Sequence, residues 1–259
     1  MNPLEVYLRE MAAIRASGQA VKETSYYGPL SNLLNEIGKT LKPKVRCIIH
    51  IKNEGAGIPD GGFFTADQLK HVSETEPLAG PLPARGAIEV KSPSEDAWDV
   101  AGSPQVAKYC KRYGQVLVAT YRDFVLVSQT ADGKVDKLEN YVLAKKEADF
   151  WKATTQPQKT AAKHGAPLIE YLKRVMLHPA PLAEPKDVAW FLASYARDAL
   201  GRIEHASLPA LDALRIALEE ALGLKFEGEK GDHFFRSTLI QTLFYGVFSA
   251  WVLWHRSHP

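Results

Sequence analysis

Three charged residues, an aspartate, a glutamate and a lysine, have types and a spacing that could do chemistry together. Glu89 and Lys91 lie two positions apart, and Asp60 lies upstream in a glycine-rich stretch. Ile88 and Val90 are apolar and β-prone, so this segment predicts a strand whose period of two places Glu89 and Lys91 on one face. We therefore expect a carboxylate and an ammonium to project side by side, with Asp60 at the end of a neighbouring strand.

These groups fit the hydrolysis of a phosphodiester, which requires an activated water and stabilised negative charge on the phosphoryl oxygens. Asp60 and Glu89 would hold Mg²⁺, with Mn²⁺ as a substitute, because Mg²⁺ prefers hard carboxylate oxygens and retains several waters. Lys91 would place a positive charge beside the scissile phosphate and orient the water. Each feature alone also has a structural interpretation, since Pro-Asp is a common turn dipeptide and Glu-Val-Lys is typical of a solvated strand face.

The order of the motifs resembles the PD-(D/E)XK nuclease superfamily. That family's pattern runs from a helix with an acidic residue to a strand, Pro-Asp, a strand with Glu-x-Lys, a helix and a strand. Glu23, Asp60 and Glu89 occur here in that order. Gln105 and Tyr109, on a predicted helix, resemble the Gln-x-x-x-Tyr motif of the recombination-exonuclease branch.

A closer resemblance, over residues 20–128, is to the amino-terminal nuclease region of single-chain restriction–modification enzymes that carry an N6-adenine DNA methyltransferase. It implies a Mg²⁺-dependent endonuclease of restriction–modification or phage defence that hydrolyses double-stranded DNA and leaves 5′-phosphate ends. Glu23 and Gln105 would be catalytic together with the three residues above. Methyltransferase and target-recognition regions of the same longer polypeptide would be its partners. The chain has no Asn-Pro-Pro-Tyr box, so we expect no methylation by the chain itself.

Two other functions stay open. The chain could be a non-catalytic DNA-binding or docking module that retains the nuclease fold, or it could cleave RNA or single-stranded ends. Glu23 would in a structural interpretation be a favourable acid near a helix N-terminus. Gln105 would then be solvated and Tyr109 would belong to the core.

Two basic stretches without acidic residues flank the motifs, at 37–53 and 105–122. We predict DNA contacts from four side chains in or near them: Lys52, Lys108, Tyr109 and Arg112. Basic side chains would contact phosphates, and the tyrosine would position a base or sugar. The alternative for the basic residues is a solvated surface, because the net charge of the whole chain is only +2.

The composition is that of an ordinary globular protein, with 46% hydrophobic and 24% charged residues. Cys47 and Cys110 have no Cys-x-x-Cys spacing, which argues against a zinc site or a disulfide framework. The N-terminus lacks the basic start and apolar run of a secretory signal. We therefore expect a cytoplasmic location.

The element pattern predicts an α/β fold of the restriction-endonuclease type, with a mixed β-sheet flanked by helices in residues 1–150. Residues 151–259 predict an α-helical coupling region, cut from a longer chain. Strand signals fade beyond residue 131, and residues 66–85 predict a surface loop. Residues 237–254 carry no charge and approach the length of a membrane span, but their Ser, Thr and Gln side chains favour a buried core helix and no membrane partner.

Overall fold

The computed structural model describes residues 1–52, 55–70, 81–130, 132–178, 180–181, 184–204 and 209–258. Its α-helices are α1 (Pro3–Ala16), α2 (Tyr27–Gly38), α3 (Ala66–Lys70), α4 (Ala97–Val100), α5 (Pro104–Tyr113), α6 (Glu147–Thr154), α7 (Pro157–Leu177), α8 (Pro185–Ile203), α9 (Pro209–Leu222) and α10 (Gly228–Ser257). Its strands are β1 (Val45–Ile49), β2 (Gly61–Thr65), β3 (Ala87–Val90), β4 (Gln115–Ala119), β5 (Asp123–Gln129) and β6 (Val135–Val142). A 3-10 turn, Thr24–Tyr26, leads into α2.

The strands form one mixed sheet in the order β1-β2-β3-β4-β5-β6. β3 and β4 are parallel, and the other neighbouring pairs are antiparallel. The parallel pair requires a crossover, which α4 and α5 provide between β3 and β4. The predicted fold class, an α/β mixed sheet flanked by helices and followed by a helical region, is confirmed.

Both faces of the central strands are covered, which explains their nearly continuous apolar sequences. Ile88, Val90 and Leu117 belong to the larger core, which α1, α2 and α7 complete. Ala87, Val116 and Val118 face a smaller core with α5. The prediction that Ile88 and Val90 face the core, away from Glu89, therefore holds.

The structure extends the sheet and the helices beyond the predicted elements. β6 lies beyond residue 131, where the strand signals of the sequence fade. The signals are weak there because β6 is an edge strand whose side chains are mostly polar and half-buried or exposed. α3 occupies the start of the predicted 66–85 surface loop. Residues 71–80 of that loop lie outside the described residues.

The chain divides into two compact units, Met1–Pro181 and Leu182–Pro259. The first unit extends beyond the predicted boundary at residue 150, because α6 and α7 both pack against α1. The second unit contains α8, α9 and α10, with a small core around Leu211, Phe226 and Phe235.

The prediction of a buried core helix over residues 237–254 is wrong. α10 is 30 residues long, and within its unit α8 and α9 have 19 and 14 residues, too few to cover it on all sides. Several large apolar side chains of α10 are therefore exposed: Leu243, Tyr245, Val247, Trp251, Leu253 and Trp254. Among the helices of the described residues, α10 is long and apolar enough to cross a membrane, by length and composition alone.

Candidate functional site

The end of β3 brings Glu89 and Lys91 together as the alternation predicted. Lys91 Nζ donates to Glu89 Oε1 over 2.6 Å and to the carbonyl of Val90 over 3.1 Å. The Glu89 side chain is 2% exposed and that of Lys91 is 26% exposed. The pair is therefore not the solvated strand face that the structural interpretation required, because its acidic member is buried.

Asp60 lies directly against this pair. It immediately precedes β2, whose Gly61 pairs with Ile88 of β3. Asp60 Oδ2 accepts a hydrogen bond of 2.8 Å from the backbone N–H of Val90, the residue between Glu89 and Lys91. The backbone carbonyl of Asp60 accepts from the His50 N–H over 2.7 Å. The pairing of β2 with β3 therefore carries Asp60 to the end of β3, as the sequence predicted.

Glu23 joins the site from the turn that precedes α2. The Tyr27 hydroxyl lies 2.8 Å from Asp60 Oδ1 and 3.3 Å from Glu23 Oε1. The Glu23 carbonyl accepts from the Tyr121 hydroxyl, and the Tyr121 carbonyl accepts from the Tyr7 hydroxyl over 2.7 Å. The structure thus connects Glu23 to Asp60 through a tyrosine, although the two acids are far apart in sequence.

One side chain of α5 lies near the same site, and a second is bonded to it. Ser103 caps the helix by accepting from the Val106 N–H, and a proline at the first position favours its start. Gln105 Nε2 donates to the Tyr109 hydroxyl over 3.0 Å. Tyr109 is only 2% exposed and lies beneath Gly57, where a β-carbon would approach its ring at 3.2 Å. The burial of Tyr109 and the exposure of Gln105 are both what the structural interpretation predicts.

The predicted basic DNA contacts lie on the surface. Lys108 and Arg112 are exposed one helical turn apart on α5, the helix that carries Gln105. Lys52 is exposed three residues after the end of β1. Whether these side chains contact DNA stays a prediction.

The electrostatics of the site reflect burial and crowding of negative charge. Burial raises the pKa of Glu89 to about 7; Lys91 opposes this rise, and the nearby charges of Asp60 and Glu23 add to it. Burial alone would lower the pKa of Lys91, but its bond to Glu89 and the surrounding carboxylates raise it. Burial, followed by the bond to Asp60, raises the pKa of Tyr27 well above its usual value. A cation placed between the carboxylates would relieve their mutual repulsion.

The donor set fits a hard divalent cation that keeps part of its water shell. Asp60 and Glu89 supply carboxylate oxygens, which are the ligands that Mg²⁺ takes in ones or twos while retaining several waters. Within the described ranges, no group of three or more His, Cys, Asp or Glu residues is arranged to hold a metal. A site built from Asp60 and Glu89 would therefore be an open, partly hydrated one and not a closed protein cage.

Sequence reasoning missed three residues that shape the site: Tyr27, His50 and Tyr121. His50 and Tyr121 adopt positive φ angles of 57° and 68°, which are uncommon outside glycine and concentrate at functional sites. No local sequence pattern predicts these backbone conformations. Tyr27 had a usable signal, since it lies four residues after Glu23 at the start of a predicted helix.

No protein-family model matches the chain, and no curated protein matches it. Among solved structures, the chain is similar to one chain of a cryo-EM structure of a DrdV–DNA complex, with 18% sequence identity and a TM-score of 0.39. The similarity covers 94% of this chain and 21% of that chain, so this chain spans about a fifth of the matched length. A likeness of this size assigns neither residues nor activity, so the assignment depends on the geometry around Asp60, Glu89 and Lys91.

Proposed function

We propose that the chain is a Mg²⁺-dependent deoxyribonuclease domain that hydrolyses phosphodiester bonds. The observation that carries the proposal is the 2.8 Å hydrogen bond from the Val90 N–H to Asp60 Oδ2, because it places Asp60 beside Glu89 and Lys91 at the end of β3. Two carboxylates and an ammonium from separate chain segments converge there, and the acid of the strand is buried. A buried acid with a raised pKa in such a cluster is more typical of a functional site than of a surface ion pair.

Asp60 and Glu89 would hold the cation, and Mn²⁺ could replace Mg²⁺. The bound cation would supply an activated water and neutralise charge on the phosphoryl oxygens. Asp60 is pre-oriented by donors on both of its oxygens, and Glu89 by the Lys91 ammonium. Glu23 would add a third carboxylate at the edge of the site, where Tyr27 ties it to Asp60.

Lys91 would act on the substrate. A lysine ammonium has three donors, and its two described bonds go to Glu89 and the Val90 carbonyl. With about a quarter of its side chain exposed, Lys91 can direct its remaining donor at the scissile phosphate and orient the attacking water. Gln105, exposed on α5, would hold a water or a phosphate oxygen nearby.

Double-stranded DNA is the proposed substrate. Lys52, Lys108 and Arg112 would contact its phosphates, which fix position without reading sequence. A role in restriction–modification or phage defence and the presence of methyltransferase and target-recognition regions on the same polypeptide are parts of this proposal that come from the family resemblance. A cytoplasmic location is proposed from the cysteine pattern instead. Cleavage of RNA or single strands is the alternative, and offering each nucleic acid in turn separates them.

The test is cleavage of supercoiled plasmid by the whole chain with Mg²⁺ or Mn²⁺, at high enzyme and low salt. Asp60→Asn keeps the size of the side chain and removes the charge that a cation needs, so nicking should be lost. Lys134→Met is a matched control, because Lys134 pairs with Asp132 at the other end of the sheet. The control should cleave like the unmodified chain.

Plasmid cleavage that persists in the Asp60→Asn variant would contradict the proposal. If the unmodified chain is inactive, the same assay on a polypeptide that includes the methyltransferase and target-recognition regions decides between a nuclease and a non-catalytic docking module. Inactivity there would favour the docking module.

A further inference from the structure

The Tyr27 hydroxyl lies between two carboxylates of the candidate site. It is 2.8 Å from Asp60 Oδ1 and 3.3 Å from Glu23 Oε1. A tyrosine hydroxyl carries one proton, so the shorter contact takes most of it and the longer one shares it. Tyr27 therefore holds Asp60 firmly and draws Glu23 toward the same point.

The hydrogen bond from Tyr27 is the second one that orients the Asp60 carboxylate. The Val90 N–H donates to Oδ2, and Tyr27 donates to Oδ1. Rotation of the carboxylate about its terminal torsion would break both bonds. Each oxygen still has a lone pair available, so the carboxylate is oriented without being saturated.

Tyr27 is itself rigidly placed. It is the first residue of α2, is 6% exposed and belongs to the larger core. Its ring contacts the ring of His50, with 5.3 Å between centroids, and the His50 N–H binds the carbonyl of Asp60. The position of the Tyr27 hydroxyl is therefore set by the fold before any cation binds.

We propose that Tyr27 is a positioning residue that sets the affinity of the Asp60–Glu89 site for a divalent cation. It does so by holding the Asp60 carboxylate in one orientation and Glu23 beside it. Partners that orient metal ligands typically change metal affinity by about 10- to 100-fold when removed. The inference rests on the proposed function, because it assumes that Asp60 and Glu89 are the ligands.

The test measures binding of Mn²⁺ to the whole chain without DNA, by loss of the free-ion signal in electron paramagnetic resonance. Tyr27→Phe removes one hydroxyl and should weaken Mn²⁺ binding by about 10- to 100-fold. In the plasmid assay, the same variant should need a correspondingly higher Mg²⁺ concentration for half-maximal cleavage. It should approach the normal rate at saturating Mg²⁺, which distinguishes weakened metal binding from general damage.

Tyr26→Phe is the matched control. Tyr26 adjoins Tyr27 and is equally buried, but its ring packs on Tyr121 and Trp151. Removing its hydroxyl should leave Mn²⁺ affinity unchanged within about threefold, since no site carboxylate depends on it. Replacement of Tyr27 by 4-aminophenylalanine restores a donor on a ring of the same size and should recover affinity to within about threefold of the unmodified chain.

The outcomes separate this inference from the function itself. If the unmodified chain binds Mn²⁺ and Tyr27→Phe binds it equally well, the positioning role is overturned and the proposed metal site stands. If the unmodified chain binds no Mn²⁺, the metal site fails and the inference fails with it. If Tyr27→Phe does not fold, the 4-aminophenylalanine chain decides, because a tenfold loss of affinity there would overturn the role of the donor.

Discussion

Two acid–base pairs lie at the same end of the sheet and use their charges differently. Glu89 and Lys91 lie at the end of β3, and Arg122 and Asp123 lie where β5 begins, two strands away. Both acids are almost fully buried, and burial raises the pKa of each. The bases differ, because the Lys91 side chain is 26% exposed and that of Arg122 is 5% exposed.

The guanidinium donors of Arg122 are bound to other groups of the protein. Its guanidinium donates to Asp123 Oδ2 and to four backbone carbonyls, and thereby ties the loop after β3 to the chain that follows β6. These carbonyls belong to Pro93, Glu95, Ala144 and Lys145. Lys91 instead binds Glu89 and one carbonyl and remains open to solvent. The comparison indicates that a saturated charge holds structure, and in the proposed function the unsaturated charge of Lys91 would act on the substrate.

Removal of Arg122 should have the largest effect on stability. Arg122→Met leaves four buried or partly buried carbonyls without their donor and Asp123 without its partner, which should lower the free energy of unfolding by about 3–5 kcal/mol. Urea unfolding measures this value. Lys91→Met is the comparison variant and should cost much less, since Glu89, with a pKa of about 7, takes up a proton readily near neutral pH. Equal losses of unfolding free energy in Arg122→Met and Lys91→Met would contradict the distinction between the two acid–base pairs.

Removal of Lys91 should have the largest effect on cleavage. Loss of one group that stabilises transition-state charge typically costs about 10²- to 10³-fold in rate. Lys91→Met should therefore show a rate loss of that size at saturating Mg²⁺ in the plasmid assay. The Lys134→Met control should retain full rate. A Lys91→Met rate within a few-fold of the unmodified chain would make this lysine a structural residue like Arg122.

Asp123 should make stability depend on pH. Burial raises its pKa to about 6, despite Arg122, and its Oδ1 atom is buried without a hydrogen-bond partner among the described residues. Its pKa in the unfolded chain is near 3.9, so its protonated form contributes stability that is full below about pH 4 and is lost as pH rises through about 6. The loss is on the order of 2–3 kcal/mol.

Asp123→Asn should remove this part of the pH dependence, because the amide is neutral throughout. Urea unfolding at pH 4.5, pH 6 and pH 7 measures the free energy of unfolding for both chains. The slope that remains in the variant up to about pH 7 belongs to other buried acids such as Glu89, whose pKa is raised to about 7. A variant as pH-dependent as the unmodified chain between pH 4.5 and pH 6 would show that Asp123 is ionised throughout this range.

The smallest predicted effect concerns the backbone of Glu23. Tyr121→Phe removes the donor to the Glu23 carbonyl and keeps the ring that packs on Tyr26. The loss of one hydrogen bond should lower the free energy of unfolding by about 1 kcal/mol and reduce cleavage only a few-fold. Urea unfolding and the plasmid assay measure both. Complete loss of cleavage without loss of stability would give Tyr121 a direct role.

Local patterns could predict the sheet and the central pair, and they could not predict what surrounds that pair. The alternation of Ile88 and Val90 fixed the face of Glu89, because side-chain direction in a strand follows from spacing alone. The contact of Asp60 with Val90 depends on the pairing of β2 with β3, which the motif order only indicated. The Tyr27 bridge and the positive φ of Tyr121 result from tertiary packing of distant segments, which no single stretch encodes.

The second unit shows the same limit of prediction from local sequence patterns. Periodicity and apolar content identified its helices, since both are local properties. Exposure depends on the neighbours that the fold supplies, and the apolar sequence of α10 predicted burial that α8 and α9 do not provide. Composition therefore predicted the element but not its environment.

The most direct test of the central claim compares plasmid cleavage by the unmodified chain and by Glu89→Gln, with Mg²⁺ and with a chelator. Glu89→Gln keeps the shape of the buried side chain and removes the charge that the cation requires. We expect Mg²⁺-dependent nicks that DNA ligase reseals, as 5′-phosphate ends allow, and we expect none from the variant or with chelator present. Cleavage that persists in Glu89→Gln, or without a divalent cation, would contradict the assignment of this site as a metal-dependent nuclease.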